Sequence, residues 1–140
     1  MSKLSNLFLR GISGAYIANS GVGKIGMPAE ASAGVQQYAA TGVPFVKAIP
    51  ADKFGTVLGA AEVGLGALLV APFVSNRVAG AGMTAFSAGL LSLYFANPEN
   101  THKDGIRPTD EGLSLSKDFF MLAIGGALLF DSKGKKNEKK

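Results

Sequence analysis

Arg10, Tyr16, Asn19, Glu62 and Ser87 are polar side chains set within stretches of largely apolar sequence. In hydrocarbon such a group is costly unless it is paired, so each marks either a structural bond or a site. A carboxyl, a phenol and an amide together can relay protons and hydrogen-bond the carbonyls of a quinone-like molecule. Glu62 has three readings from sequence. It is an ion pair with Arg10, a protonated carboxyl donating between helices, or a proton-exchanging or ligand-binding site.

Other chemistries lack their residues. There is no cysteine, hence no disulfide, thiolate zinc site, iron–sulfur cluster or redox thiol. The single histidine, His102, cannot make a bis-His haem or a four-ligand His/Cys metal site within one chain. His102 lies in a hydrophilic stretch and is expected to be solvated. Lys117 and Asp118 open the last apolar run and read as interfacial charges.

The elements that must hold these residues follow from hydropathy. The chain has 140 residues, 47% of them hydrophobic and only 17% charged, the latter well below the roughly 25% of soluble proteins. Phe54–Phe73 contains one charge, Glu62, and Val78–Phe95 contains none. Stretches of about 18 to 20 such residues cross a hydrocarbon layer as helices. Leu4–Ile25 and the shorter Phe119–Phe130 complete the set. A soluble bundle would show polar stripes at helical period, and Val78–Phe95 has none beyond Thr84, Ser87 and Ser92.

The expected fold is therefore an all-α membrane protein, an antiparallel bundle of four transmembrane helices over residues 4–25, 54–73, 78–96 and 114–131. The membrane domain is residues 1–131, and 132–140 forms a basic, disordered cytoplasmic tail. Arg10 and Lys24 disfavour signal cleavage after Ala31-Ser32-Ala33, so the first helix is expected to be retained. The short turn Pro72–Arg77 predicts that the second and third helices are antiparallel neighbours. The segment 26–53, with Pro28, Pro44 and Pro50, is expected along the outer interface or as a short re-entrant piece. Asp52 is the expected N-cap of the second helix, and Ser114 or Ser116 that of the fourth.

The formal charge of +4 does not call for a nucleic-acid partner. Basic residues concentrate at the ends of the apolar runs, and Lys133, Lys135, Lys136, Lys139 and Lys140 lie in the tail. Those lysines place both termini on the cytoplasmic side of a cell membrane crossed several times. At 1.5 Å rise per residue, Tyr16, Asn19, Glu62 and Ser87 fall in the upper and middle parts of the layer, with Arg10 below and able to extend toward Glu62. Glycine, 19 of 140, fits helix packing in lipid, where small residues allow close approach. Gly55 and Gly59 on the second helix and Gly82 and Gly89 on the third are the expected packing positions, within one chain or in a homo-oligomer.

Arg10-Gly11, then Gly21-x2-Lys24, in the first helix resemble the opening of DoxX-like small membrane proteins. Ala61-Glu62-Val63-Gly64 matches that family's glutamate in a glycine-rich second helix. Arg77 after the short turn and Asp118 at the opening of the last run match as well. The resemblance runs from Leu7 to Phe130 and implies four spans and association with quinol-oxidase or other membrane redox machinery. It implies a non-catalytic accessory subunit of a larger respiratory or redox complex, with no cofactor of its own beyond a bound quinone or lipid. The other class open to the sequence is a quinone- or small-molecule-binding oxidoreductase component, or a proton- or solute-translocating protein, built on Glu62.

Overall fold

A computed structural model describes residues 2–110 and 112–131. The chain is all-α, 73% helical, with no strand among the described residues. The expected basic tail, residues 132–140, lies outside them.

The first helix begins at α1 (Lys3–Asn6), passes through a π-helical stretch (Leu7–Ile12) and continues as α2 (Ser13–Val22). Ser2 Oγ caps its start by accepting the Ser5 amide at 3.0 Å. It ends three residues before the expected Ile25. The segment 26–53 is more ordered than its prolines suggested. It holds α3 (Ala29–Ala40) and a 3-10 turn at Pro44–Ala48. The signal for α3 was present: Pro28 immediately before the first turn, Glu30 within it, then alanines and glutamines.

The next helix, α4 (Phe54–Val70), stops short of the expected Phe73. Pro72 disfavours helical geometry in the residue before it, and Ala71 is extended at φ −65°, ψ 119°. Asp52 does not cap α4; Lys53 holds the N-cap position and makes no side-chain capping bond. By contrast, α5 (Asn76–Ala96) starts two residues early, because Ser75 Oγ accepts the Val78 amide at 3.2 Å. The last helix, α6 (Leu113–Leu129), starts without a side-chain cap. Ser116 Oγ instead donates to the Leu113 carbonyl at 2.6 Å, and the Ser114 side chain lies outside the described set.

The helices associate chiefly as two pairs, α2 with α4 and α5 with α6. The sequential pair α4 and α5, expected as close neighbours, touch much less. Glycine explains the choice. A Cβ on Gly21 would fall 2.5 Å from the Gly59 carbonyl, and one on Gly66 would fall 2.7 Å from the Gly14 carbonyl. A Cβ on Gly80 would sit 2.7 Å from the Gly125 carbonyl. Backbones approach closest where side chains are absent, so the paired faces are these glycine faces. Of the four expected packing glycines, Gly59 fits this role and Gly82 abuts Leu65. Gly55 meets the Met27 side chain, and Gly89 faces open space. Tyr94 and Phe95 of α5 each meet Phe119 of α6 edge to face, at centroid distances of 5.4 and 5.8 Å.

Ile17, Leu65, Leu69, Ala79, Met83, Met121 and Leu128 form a shared core between the two pairs. The outward faces are also apolar: Leu7, Phe8, Ile12, Val57, Leu68, Val78, Phe95 and Phe120 are all exposed. By length and composition, α5 is the one described helix long and apolar enough to cross a membrane, and α4 is a shorter apolar helix.

Outside the helices, the segment 97–112 is organised around a turn in which Thr101 and Pro108 bridge. Asp104 accepts the Ile106 and Arg107 amides at 2.9 and 3.0 Å, and Arg107 Nε donates to it at 2.6 Å. These bonds hold the Asp104 carboxyl well below the usual carboxylate range. The depressed folded value means that its contribution to the turn is present above the ordinary carboxylate pKa and is lost as pH falls through the folded value. A carboxyl-carbon NMR titration is expected to show Asp104 titrating well below the usual aspartate range. A midpoint within that range would contradict the turn.

Candidate functional site

Arg10 is nearly buried, at 7% exposure, and it does not reach toward Glu62. Its side chain runs the other way, to the C-terminal end of α4. Nε donates to the Leu69 carbonyl at 2.7 Å, and Nη2 donates to Leu68 and Ala71 carbonyls, each at 2.9 Å. Nη1 donates to the Val74 carbonyl and to Asn76 Oδ1, both at 2.8 Å. All five N–H groups of the guanidinium are used. The physical reason is local: a helix that ends at Val70 leaves carbonyls without partners and a negative dipole end. Asn76 extends the junction by donating to Asn6 Oδ1 at 2.9 Å and Asp131 Oδ2 at 2.6 Å. Arg10 is therefore a structural keystone joining the first helix, the α4–α5 turn and the end of α6.

Glu62, at 5% exposure, pairs with a different cation. Lys24 Nζ lies 2.8 Å from Glu62 Oε1 and also donates to Ser20 Oγ at 2.9 Å. The close approach of Gly21 to Gly59 brings the two backbones together one helical turn from this pair. It is the close contact of α2 with α4 that turns Lys24 inward.

Glu62 and Lys24 line a cavity of 590 Å³ between the helix pairs and α3. Tyr16 and Tyr38 also line it, as do Lys117 and Asp118 of α6. Ile17, Leu58, Phe86, Leu90, Leu93 and Met121 supply much of the apolar wall. Phe45, 80% exposed, and Tyr16, more than half exposed, stand at its rim. The volume is within the roughly 300 to 1,000 Å³ of small-molecule sites, and a mostly apolar wall with a few convergent polar groups is their usual composition. Gln36 donates to the Val46 and Ile49 carbonyls at 3.0 and 2.6 Å, and Ser32 Oγ donates to the Ala51 carbonyl while accepting the Gly55 amide. These bonds hold α3 and the 3-10 turn over the cavity against the start of α4.

Of the five polar residues singled out by sequence, the fold brings only Tyr16 and Glu62 to this cavity. Asn19 is on the exposed face of α2. Ser87 is fully buried with its hydroxyl unpartnered, and it does not line the cavity. His102 is exposed, and among the described residues no group of three or more acids and histidines could hold a metal. Asp118 was missed as a site residue. Far from being interfacial, it has no exposure at all, and it is among the residues around the cavity.

If Lys24 and Glu62 form one unit, Glu62→Gln is expected to cost about 2 kcal/mol by leaving a partly buried ammonium uncompensated. Lys24→Met combined with Glu62→Gln is expected to recover most of that loss. Unfolding of the purified protein in mixed micelles checks this through a double-mutant cycle. Additive single losses would contradict the pair.

Comparison with known protein families, with characterised proteins and with solved structures returned no match.

Proposed function

We propose that this chain is a DoxX-like, four-span protein of the cell membrane that binds a small amphipathic molecule, a quinone being one such class, in its central cavity. The observation that carries the reading is the 590 Å³ cavity with an apolar wall and the Lys24–Glu62 pair set into it. The four-span part rests on the ring of exposed large apolar side chains on the first helix, α4, α5 and α6, which suits a lipid solvent. The first helix is continuous from Lys3 to Val22, which is about 30 Å at 1.5 Å per residue. The tail lysines favour cytoplasmic termini.

In this reading the chain binds rather than transforms its ligand. With no cysteine and one histidine, the electron carrier for any redox step belongs to a partner complex in the same membrane.

Gly89 supplies the test. It lines the cavity, and nothing lies within 4 Å of a Cβ built on it. Gly89→Leu is thus expected to project into the cavity and obstruct its occupant without displacing the protein. Thermal unfolding in detergent is measured with and without a short-chain alkyl benzoquinone. At about 100 times Kd the ligand is expected to stabilise the parent protein by about 2.7 kcal/mol and to leave Gly89→Leu unchanged. Equal stabilisation of both would sink the cavity reading.

A further inference from the structure

Asp118 carries two acceptor oxygens that the fold leaves unused. Its carboxylate is fully buried, and neither oxygen accepts a hydrogen bond. Lys117 Nζ lies 3.5 Å from Oδ2, an ion pair at long range rather than a hydrogen bond. The buried hydroxyls of Thr84 and Ser87 on α5 are themselves unpartnered, so neither is within hydrogen-bond reach of the carboxylate. A buried, unsatisfied carboxylate is among the most costly groups a fold can hold. Asp118 is among the residues lining the cavity; its oxygens are closed to a water-sized sphere, so a donor from that side reaches them once the side chain turns toward the cavity.

The charges around the cavity limit what that donor is. Lys24 is engaged by Glu62 and Ser20, and Lys117 lies beside Asp118. The wall carries two lysines and two acidic side chains, so it presents no large excess of either charge to select an anion or a cation. Its unmet capacity is as an acceptor. Ile17, Leu58, Phe86, Leu90, Leu93 and Met121 offer an apolar bed for the rest of the molecule.

We infer that the cavity takes a neutral amphiphile bearing a hydroxyl, which donates its hydrogen bond to the Asp118 carboxylate while its apolar body packs among the α2, α4, α5 and α6 side chains. This rests on the ligand-binding reading of the cavity and adds to it the polarity of the head group. A ligand with acceptors alone, such as a quinone, would leave Asp118 unsatisfied. A hydroxyl-bearing one removes the penalty. Asp118 is the specificity determinant, and the Lys24–Glu62 pair lines the same site.

The experiment uses a matched pair of probes, 4-nonylphenol and its methyl ether, which share shape and hydrophobicity and differ in the one donor. Binding to the purified full chain in lipid nanodiscs is measured by titration calorimetry. Empty nanodiscs are titrated in parallel to subtract lipid partitioning. A hydrogen bond to a charged acceptor predicts that the phenol binds about tenfold or more tighter than the ether. Asp118→Leu is expected to abolish the preference while keeping affinity for the ether. Asp118→Asn, with a neutral acceptor of the same shape, is expected to retain a reduced preference. Equal binding of phenol and ether to the parent protein would overturn the role of Asp118 and leave the cavity reading standing. Binding of neither would overturn both. The comparison on the parent protein decides the matter even if a variant fails to fold.

Discussion

Arg10→Ala is expected to lower stability by about 3 kcal/mol or more, the largest effect of any single polar substitution in the chain. Five hydrogen bonds vanish together, and the Leu68, Leu69, Ala71 and Val74 carbonyls lose a charged donor. The first three of those carbonyls lie at the end of α4, where the helix dipole is negative, so the loss of charge adds to the loss of donors. Arg10→Lys separates the two effects. It keeps the charge but offers three donors from a single point, against five from a planar fork. Its stability is expected to fall between parent and alanine variant. Denaturation in mixed micelles followed by far-UV circular dichroism gives the order. A lysine variant as stable as the parent would mean that charge alone accounts for the site. An alanine variant as stable as the parent would remove Arg10 from the framework.

The second large effect is expected at the glycines where backbones meet. Gly21→Ala places a methyl 2.5 Å from the Gly59 carbonyl and 2.8 Å from the Glu62 Cβ. Neither neighbour is the free end of a flexible chain, so α2 and α4 must separate. Overpacking of this kind costs about 1 to 3 kcal/mol. It is also expected to loosen the Lys24–Glu62 pair, which depends on the same approach. Gly66→Ala, 2.7 Å from the Gly14 carbonyl, acts on the same pair of helices. The control is Gly64→Ala on α4, where a new Cβ meets nothing within 4 Å. There the better helix propensity of alanine leaves stability unchanged or raised by up to about 1 kcal/mol. Equal losses at Gly21 and Gly64 would mean that general helix chemistry, not the α2–α4 contact, sets the cost.

These two sites show how far the sequence reaches. Hydropathy located four long helices to within a few residues, and the corrections at their ends come from local chemistry. Pro72 ends α4 at Val70, and Ser75 starts α5 at Asn76. The Ala- and Gln-rich α3 was legible in its propensities but was overshadowed by the prolines around it. Arg10 and Glu62 were both legible as groups that need partners. Their pairing was not, because distance along a helix axis sets depth and leaves rotation about that axis undetermined. Arg10 turned to the C-terminal end of α4 and Glu62, at the middle of α4, met Lys24, so each found a nearer complement.

By itself the sequence determined that the chain is helical, that costly polar groups interrupt its apolar runs, and that cysteine- and bis-histidine-based cofactors are excluded. Composition and periodicity are properties of one strand of residues, and these conclusions need nothing more. Only the tertiary structure decided which glycine faces meet, that Lys24 rather than Arg10 neutralises Glu62, and that Asp118 is buried at a cavity. Those outcomes depend on how helices rotate and pair, and that is set by close backbone approach between residues far apart in the chain, such as Gly21 with Gly59 and Gly80 with Gly125.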